Sequence, residues 1–295
     1  MKKRRNILER VGALDWVILI VMGLFAVICM FPFYQTLLLA FSSEEAYAAN
    51  PIYLLPYSFD LTAFKTVFAN ELFWSAMYVT VFTTVLDLVL CMVVTVTGAY
   101  VLAKEDLIGG KFFGFLVVFT MMIQAPLIPT YLNIKELGLY DNVMVYVLPV
   151  LVNFSYMLLM RNYFKDVPSD IVEAAEIDGA NPLTVLVRIL LPISKPFIAT
   201  FSLFFVVERW NEWYISNIYI REPRMYTLQY FLRATLADVN EQLGALLQNQ
   251  TQVETAHDGA LRSAAIILAA LPIICFYPLV QKFLIKGMTT GAVKG

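Results

Sequence analysis

The sequence has few charged residues. Only 15% of its 295 residues are charged, whereas 60% are hydrophobic. Soluble globular domains carry roughly a quarter charged residues and about half apolar ones. The composition therefore excludes an ordinary soluble domain and predicts a polytopic membrane protein embedded in a lipid bilayer. A net charge of −2, without a long basic stripe, also predicts no nucleic-acid partner.

Reactive and metal-binding side chains are scarce as well. The three cysteines, Cys29, Cys91 and Cys275, are widely spaced within apolar runs, as is typical of small packing residues rather than of disulfides or metal ligands. The one histidine, His257, lies in a polar stretch and has no nucleophile or ligand cluster beside it. We therefore expect no catalytic residue, no cofactor site and no metal site in this chain.

Six apolar stretches are long enough to cross the hydrocarbon core of a bilayer, which is about 30 Å thick. The sequence predicts an all-α membrane protein with six transmembrane helices and a single domain, 1–295. The six predicted spans are Trp16–Leu39, Phe73–Leu102, Phe112–Thr130, Val143–Met160, Pro196–Ile220 and Leu261–Ile285.

The distribution of lysine and arginine predicts how these spans are oriented. Fourteen of these residues precede the first span, flank the loops after spans two and four, or follow the sixth span, and five lie in the opposite loops. Cytoplasmic loops carry the excess of positive charge, so both termini are expected in the cytoplasm. The N-terminus 1–15, the loop 161–195 and the tail 286–295 are then cytoplasmic, and the loops 40–71 and 221–259 are external.

The cytoplasmic loop 161–195 has the sequence signals of two short helices. Pro168-Ser169-Asp170 supplies N-cap chemistry, and Asp170 and Glu173 have the spacing of a capping box, which predicts about two helical turns. Gly179 suits the left-handed end of that helix. Asn181-Pro182 then reads as the cap and first position of a second helix toward Leu191-Pro192. A two-turn helix is not stable alone in water, so we expect it to be supported by its neighbour and by a partner surface.

The same loop carries the pattern Glu173-Ala174-Ala175, Asp178-Gly179-Ala180 and Ile189-Leu190-Leu191-Pro192. This pattern resembles the signature loop of the membrane subunits of bacterial ATP-binding-cassette (ABC) importers, and the resemblance to permeases of maltose-type and complex-oligosaccharide-type systems covers essentially the whole chain. It implies a type I importer permease fold whose coupling helix inserts into a groove on the ATPase. An ordinary helix-glycine-helix connection is the alternative. The residues that the resemblance assigns to ATPase coupling are Glu173, Ala174, Ala175, Asp178, Gly179, Ile189, Leu191 and Pro192.

The resemblance also implies the partners of the chain. These are a second homologous permease, two ATPase subunits that bind ATP and Mg, and an extracellular solute-binding protein that delivers an oligosaccharide to the bacterial cell membrane. The tail Lys286–Gly295 resembles a permease tail that reaches in between the ATPase subunits. No Gly-x-x-x-x-Gly-Lys-Ser/Thr phosphate loop occurs in this sequence, because Gly109-Gly110-Lys111 lacks the first glycine and the hydroxyl residue. ATP hydrolysis is therefore expected on a separate subunit.

Charged residues inside membrane spans are costly and indicate a functional site. Asp87 lies midway along predicted span two, and Glu208, Arg209 and Glu212 lie midway along predicted span five. Asp87 and Arg209 are expected at similar depth, so we predict that they pair across helices. The pair is either a structural ion pair or a part of the substrate path.

Span five also carries aromatic and amide side chains. Helical spacing puts Trp210, Trp213, Tyr214 and Asn217 on one stripe, and aromatic rings beside Asn and Glu suit a carbohydrate. An aromatic belt at the membrane interface is the alternative. The predicted substrate path comprises Asp87, Glu208, Arg209, Trp210, Asn211, Glu212, Trp213, Tyr214 and Asn217, with Gln124, Pro126, Pro129, Asn153, Ser155 and Tyr156 as further candidates.

The leading functional hypothesis is therefore the pore-forming permease of an ATP-driven oligosaccharide importer. A polyol or glycerol-phosphate cargo within the same family is one alternative. An ion-coupled secondary transporter that uses Asp87 and Glu208 is another, although such folds usually show internal repeats. Arg209, Arg221 and Arg224 near the outer mouth would favour an acidic sugar such as a uronate.

Overall fold

The computed structural model describes residues 12–43, 59–123, 125–236 and 258–291, and these ranges contain helices but no strand. Residues 1–11, 44–58, 124, 237–257 and 292–295, which include Gln124 and His257 and parts of both predicted external loops, lie outside the described residues, as do the side chains of residues 13, 14, 235, 236, 258, 277 and 279–291. The chain divides into two compact units, one formed by 1–69 with 251–268 and the other by 70–250 with 269–295.

The first unit contains helices α1 (Ala13–Ala40) and α2 (Thr62–Ala69) and the beginning of the long helix Asp258–Gly291. After α1 the chain is held by aromatic contacts. The centroid of the Phe41 ring lies 5.1 Å from that of Phe59, in a stacked arrangement, and 4.8 Å from that of Phe64. The Asp60 carboxylate accepts the amide and hydroxyl hydrogens of Thr62 at the start of α2. These hydrogen bonds lower the pKa of Asp60 from its ordinary value.

The second unit is built around the 33-residue helix α3 (Glu71–Ala103), which begins at an Asn70 side chain that accepts the Leu72 amide hydrogen. Two short 3-10 turns, Val143–Tyr146 and Leu148–Val150, precede α6, and a third, Pro223–Met225, precedes α11. The remaining helices, in chain order, are α4 (Gly110–Met122), α5 (Leu127–Glu136), α6 (Phe154–Lys165), α7 (Ser169–Ile177), α8 (Pro182–Ile193), α9 (Lys195–Trp210), α10 (Tyr214–Tyr219), α11 (Leu228–Leu236) and α12 (Asp258–Gly291), of which α12 begins in the first unit.

Three predicted spans are single continuous helices of sufficient length and hydropathy, namely α1, α3 and the Gly259–Phe276 part of α12. Three further candidates are pairs of helices that meet at a bend, and the third pair begins before predicted span five. Helices α4 and α5 meet at 112°, the 3-10 turns meet α6 at 46°, and α8 meets α9 at 86°. The count of six spans holds if each bent pair is one span. The helix is interrupted within each of the predicted spans Phe112–Thr130, Val143–Met160 and Pro196–Ile220, because prolines and side-chain hydrogen bonds disturb the backbone ladder there.

Two apolar clusters pack against α3. The cluster near its C-terminal half joins Tyr100 to Met160, Val185 and Phe201, so it ties α3 to α6, α8 and α9. The cluster near its N-terminal half surrounds Tyr146 and Tyr219. Helix α3 is therefore the support on which both ends of the second unit are built.

Gly98 permits the close approach of α3 and α6. A Cβ atom at this position would lie 2.7 Å from Cε and 3.0 Å from Sδ of Met157. Small residues at helix contacts are a common way for membrane helices to pack closely.

We expect Gly98→Leu to weaken the α3–α6 contact, because the added side chain would displace the Met157 side chain from its place in the buried cluster. Overpacking of this kind costs about 1–3 kcal/mol. Gly114→Leu is the matched control, since nothing lies within 4 Å of a Cβ at Gly114. Thermal unfolding of the detergent-solubilised protein should show a lower midpoint for Gly98→Leu alone, and equal midpoints would contradict the close-contact interpretation.

Candidate functional site

Helix α7 begins without the predicted capping box. It starts at Ser169, its N-cap residue is Pro168, and no side chain caps its first turn. Asp170 lies inside the first turn instead, where a negative charge favours the helix N-terminus. The capping prediction was wrong by two residues, because proline fixes its own backbone angle and thereby starts the helix earlier.

The end of α7 is as predicted. Gly179 has φ +83°, and its amide hydrogen bonds to the Glu176 carbonyl oxygen at 3.0 Å. The Ala180 amide bonds to the Ala175 carbonyl oxygen at 2.9 Å, which completes a Schellman motif. The Asn181 side chain then accepts the Thr184 amide hydrogen, with Pro182 as the first position of α8. Loop 161–195 therefore contains a sharply defined turn between two helices.

Helix α8 is distorted before it reaches the predicted Leu191-Pro192 signature. Residues Val185–Leu190 form a π-helical turn, and such turns occur often at functional sites. Val185, Leu186 and Leu190 are buried in the C-terminal cluster of α3, while Ile189 and Leu191 are half-buried and Pro192 is exposed. This packing anchors α8 to the membrane-spanning helices.

The two faces of α7 differ in what they touch. Val172 and Ala175 pack inward against the same apolar cluster. Glu173, Ala174, Asp178 and Gly179 are exposed. The structure thus separates the two alanines of the predicted coupling signature, since Ala175 supports the helix and Ala174 faces away from the cluster.

The predicted contact between Asp87 and Arg209 is present. Arg209 Nε lies 3.6 Å from Asp87 Oδ2, and the two side chains are 8% and 1% exposed. Arg209 also lies 3.3 Å from a Glu208 carboxylate oxygen and 3.7 Å from one of Glu212. One buried cation thus faces three carboxylates, which is how a charge becomes tolerable away from water.

Hydrogen bonds extend this charged cluster to neighbouring segments. Arg209 Nη1 donates to the Tyr146 carbonyl oxygen at 3.3 Å, and Cys91 Sγ donates to Asp87 at 3.1 Å. The Glu212 carboxylate accepts the Ile215 amide hydrogen at 2.8 Å at the start of α10. Arg209 therefore connects α3, the 3-10 turn at Val143–Tyr146 and both helices that flank the break in span five.

A second polar group extends from the break toward α11. Thr227 Oγ1 donates to the Glu212 carbonyl oxygen, and the Thr227 amide donates to Ser216 Oγ at 3.0 Å. Ser216 also contacts the Tyr146 hydroxyl, and the Leu228 amide donates to Thr80 Oγ1 at 2.8 Å. No local pattern indicates these threonine and serine contacts, because they join positions 11 to 148 residues apart in the chain.

The predicted aromatic stripe on span five was wrong. Helix α9 ends at Trp210, α10 begins at Tyr214, and the Asn211 side chain folds back onto the Val207 carbonyl oxygen at 2.7 Å. Trp210 is buried, and its indole N–H donates to the Ala269 carbonyl oxygen. The guanidinium carbon of Arg233 lies 3.7 Å from the centroid of the Trp213 ring. Both tryptophans therefore serve internal contacts.

The remaining members of the predicted path divide by exposure. Glu208, Asn211, Tyr214 and Asn217 are exposed, whereas Asp87 and Arg209 are buried and Glu212 is half-buried. The Tyr156 hydroxyl approaches Glu208. The exposed group can meet a solute, and the buried group supports it from behind. No set of three His, Cys, Asp or Glu side chains arranged to hold a metal occurs among the residues the structure describes.

A further polar site, which the sequence indicated only through Arg221, joins the 137–142 connection to the chain after α10. Asp141 has φ +54° and accepts the Arg221 and Glu222 amide hydrogens at 2.8 and 3.0 Å. Arg221 Nε donates to the Tyr140 hydroxyl oxygen at 2.8 Å. The nearby Arg224 is exposed and lies 3.9 Å from Glu71. The three arginines of the acidic-sugar hypothesis therefore have different partners.

We expect Arg209→Met to destabilise the protein far more than Asp87→Asn. Loss of one buried partner costs about 3–5 kcal/mol, and without Arg209 three carboxylates lose their cation, whereas Asp87→Asn leaves Arg209 paired to two. The double variant should be more stable than Arg209→Met alone. The midpoint of thermal unfolding in detergent measures the stability of each variant, and Arg224→Met, at an exposed arginine, is the control. If the double variant loses as much stability as the two single variants together, Asp87 and Arg209 are not coupled.

No protein-family model matches the sequence. The chain is 33% identical over 272 residues to the polygalacturonan/rhamnogalacturonan transport system permease protein YtcP of Bacillus subtilis (strain 168), covering 92% of this chain and 95% of that protein. It is 36% identical over 270 residues to Protein LplC of the same organism, covering 91% of this chain and 90% of that protein.

A solved structure supports the same relationship. One chain in the crystal structure of a bacterial ABC transporter involved in the import of the acidic polysaccharide alginate matches with a TM-score of 0.83 and 32% identity, covering 92% of this chain and 98% of that chain. The helical architecture fits the type I permease fold expected from the sequence. The chain therefore belongs to the family of membrane permease subunits of sugar and oligosaccharide ABC transporters.

Proposed function

We propose that this chain forms half of the pore of an ATP-driven importer and moves an oligosaccharide delivered by an extracellular solute-binding protein. A second permease completes the pore, and two separate ATPase subunits bind ATP and Mg and supply the energy. Both termini are cytoplasmic in this proposal. The observation that carries it is the exposed apolar face of α7, in a loop where the lysine and arginine distribution indicates the cytoplasm.

This face, which we call the docking face, comprises Ile171, Ala174, Ile177 and the neighbouring Leu183. Ile177 is 86% exposed, Leu183 67% and Ile171 40%. Ile171, Ala174 and Ile177 recur at every third residue along one side of α7, interspersed with exposed acidic residues, and large apolar side chains exposed near one another are typical of a protein contact. A short amphipathic helix that lays its apolar side into a groove is a recurring mode of recognition. We infer that the groove belongs to the ATPase.

The inward face of α7 explains how motion would pass to the membrane. Val172 and Ala175 pack on the cluster that also holds Tyr100 of α3 and Phe201 of α9. A force applied to the docking face therefore acts directly on two membrane-spanning helices. A rigid helix that contacts a partner on one side and the spanning helices on the other is suited to transmit ATP-driven closure.

The exposed residues around the break in span five are the proposed path. Glu208, Asn211, Tyr214 and Asn217 offer a carboxylate, two amides and a ring, which together suit sugar hydroxyls and C–H faces. An ion-coupled transporter is less favoured, because Asp87, one of its two candidate carboxylates, already lies against Arg209. Import that persists when the proton gradient is collapsed, but stops without the ATPase, would support the importer.

We propose an acidic oligosaccharide as cargo. The permease YtcP and the alginate importer are both named for polysaccharides that contain uronic acids. An exposed arginine, Arg221, lies on the side of the second unit where the predicted external loop begins. A polyol or glycerol-phosphate cargo gains no such support from these relatives.

We expect Ile177→Glu to reduce ATP hydrolysis stimulated by the solute-binding protein by about tenfold or more, since loss of a central apolar contact typically costs 2 kcal/mol or more at an interface. Ile177 is largely exposed, so folding should be unaffected. Ile108→Glu is the matched control, because Ile108 is 94% exposed in the connection before α4. Equal hydrolysis by both variants and the wild type would argue against the docking face.

The Gly179 turn gives a second test. Gly179→Pro should leave membrane insertion intact but abolish copurification of the ATPase and transport-linked hydrolysis, because proline cannot adopt φ +83°. Gly138→Pro is the matched control, since Gly138 closes an equivalent turn after α5 with φ +70°. Retention of the ATPase by Gly179→Pro, or its loss from both variants alike, would count against the coupling assignment.

A further inference from the structure

We propose that Arg221, held in place by Tyr140 and Asp141, binds the carboxylate of an acidic oligosaccharide at the outer mouth of the permease. This inference rests on the proposed function, because it takes the acidic cargo and the orientation of the chain from it. It adds a specific binding residue and the geometry that prepares it.

The backbone at Arg221 is fixed by an unusual residue. The backbone of Asp141 adopts a left-handed conformation that residues other than glycine rarely adopt. Its amide donates to the Tyr219 carbonyl oxygen at 2.9 Å, and its carboxylate accepts two successive amide hydrogens, those of Arg221 and Glu222. Three hydrogen bonds thus hold a locally strained residue, and a strained residue held in this way is a feature of ligand-binding sites.

The guanidinium group of Arg221 is oriented by one hydrogen bond and otherwise available. Its Nε donates to the Tyr140 hydroxyl oxygen, which leaves the Nη1 and Nη2 groups for a second acceptor. The ion pairs found among the described residues do not include Arg221. Two parallel N–H groups match the two oxygens of a carboxylate, and this fork geometry is what lysine cannot offer.

The tyrosine contact favours the charged form of the arginine. The hydrogen bond from Arg221 lowers the pKa of Tyr140 from its ordinary value, and the same contact raises the pKa of Arg221. An arginine is a cation throughout the physiological range with or without such a contact, so the role of Tyr140 is to orient the guanidinium group. Asp141 is satisfied by its two amide donors, which moderates its repulsion of an incoming carboxylate.

Further tyrosine rings lie next to Tyr140, the hydrogen-bond partner of Arg221. Tyr131 lies 5.8 Å from Tyr140 in an edge-on arrangement and 5.8 Å from Tyr219 in a stacked one. Tyr131 and Tyr140 are half-buried, so part of each remains accessible. Accessible tyrosine surface beside a guanidinium offers both an apolar contact and hydroxyl groups to a uronate ring.

Three other arginines of the second unit are less suited to this role. Arg209 is buried among three carboxylates, and Arg233 covers the ring of Trp213. Arg224 is exposed three residues after Arg221, but it lies 3.9 Å from Glu71, and no hydrogen bond found among the described residues joins its side chain to a tyrosine. Arg224 is therefore the matched control for a residue of equal charge in the same segment.

The test uses the permease copurified with its partner subunits, reconstituted in proteoliposomes with the solute-binding protein outside. The probes are trigalacturonate and alginate trisaccharides. We expect Arg221→Gln to lower the uptake of both probes by about tenfold, which is the effect expected for a lost charge-assisted hydrogen-bond pair. Arg221→Lys should show uptake between that of Arg221→Gln and that of the wild type. Tyr140→Phe should lower uptake by about threefold, and Arg224→Gln should leave it unchanged.

A second measurement, the affinity of the sugar-free solute-binding protein for the complex, separates a sugar site from a protein contact. We expect this affinity to be the same for Arg221→Gln and the wild type. An equal loss of docking affinity would mean that Arg221 contacts the binding protein, and unchanged uptake by Arg221→Gln and Tyr140→Phe would also overturn the proposal. A wild type that hydrolyses ATP on docking but imports neither probe would instead reject the acidic cargo, and the carboxylate site with it.

Discussion

The contact between Arg209 and the carboxylates around it is the interaction on which the second unit depends. A membrane offers no water to a polar group, so every buried charge must find its partner within the protein. Arg209 meets Asp87 of α3, Glu208 in the last turn of α9, and Glu212 within the break in span five. The break exposes Asn211, and Arg209 neutralises the carboxylate of Glu212 that lies within it.

The functional surfaces are placed at opposite ends of the apolar support that α3 provides. Near its C-terminal half the cluster around Tyr100 carries α7, which packs Val172 and Ala175 inward and turns Ala174 and Ile177 outward. Near its N-terminal half the cluster around Tyr146 and Tyr219 supports the connection that holds Arg221. One long helix therefore links the proposed site of ATPase docking to the proposed site of sugar entry.

Local signals in the sequence predicted the local features. Gly179 and Asn181-Pro182 end and begin their helices as expected, because such turns depend on adjacent residues alone. The pairing of Asp87 with Arg209 was also predictable, since an isolated charge in a span needs a partner. The break after Trp210 and the Asp141 site were not, because they depend on hydrogen bonds between segments 15 to 81 residues apart in the chain. A hydropathy profile by itself does not show that these spans are broken.

The most direct test of the account is a structure of the complete transporter purified with its ATPase subunits. The account predicts that Ile171, Ala174 and Ile177 are buried in a groove on the ATPase, while Val172 and Ala175 keep their contacts with the spanning helices. A complex in which the outer side chains of α7 remain exposed to solvent, with the ATPase bound elsewhere, would contradict it.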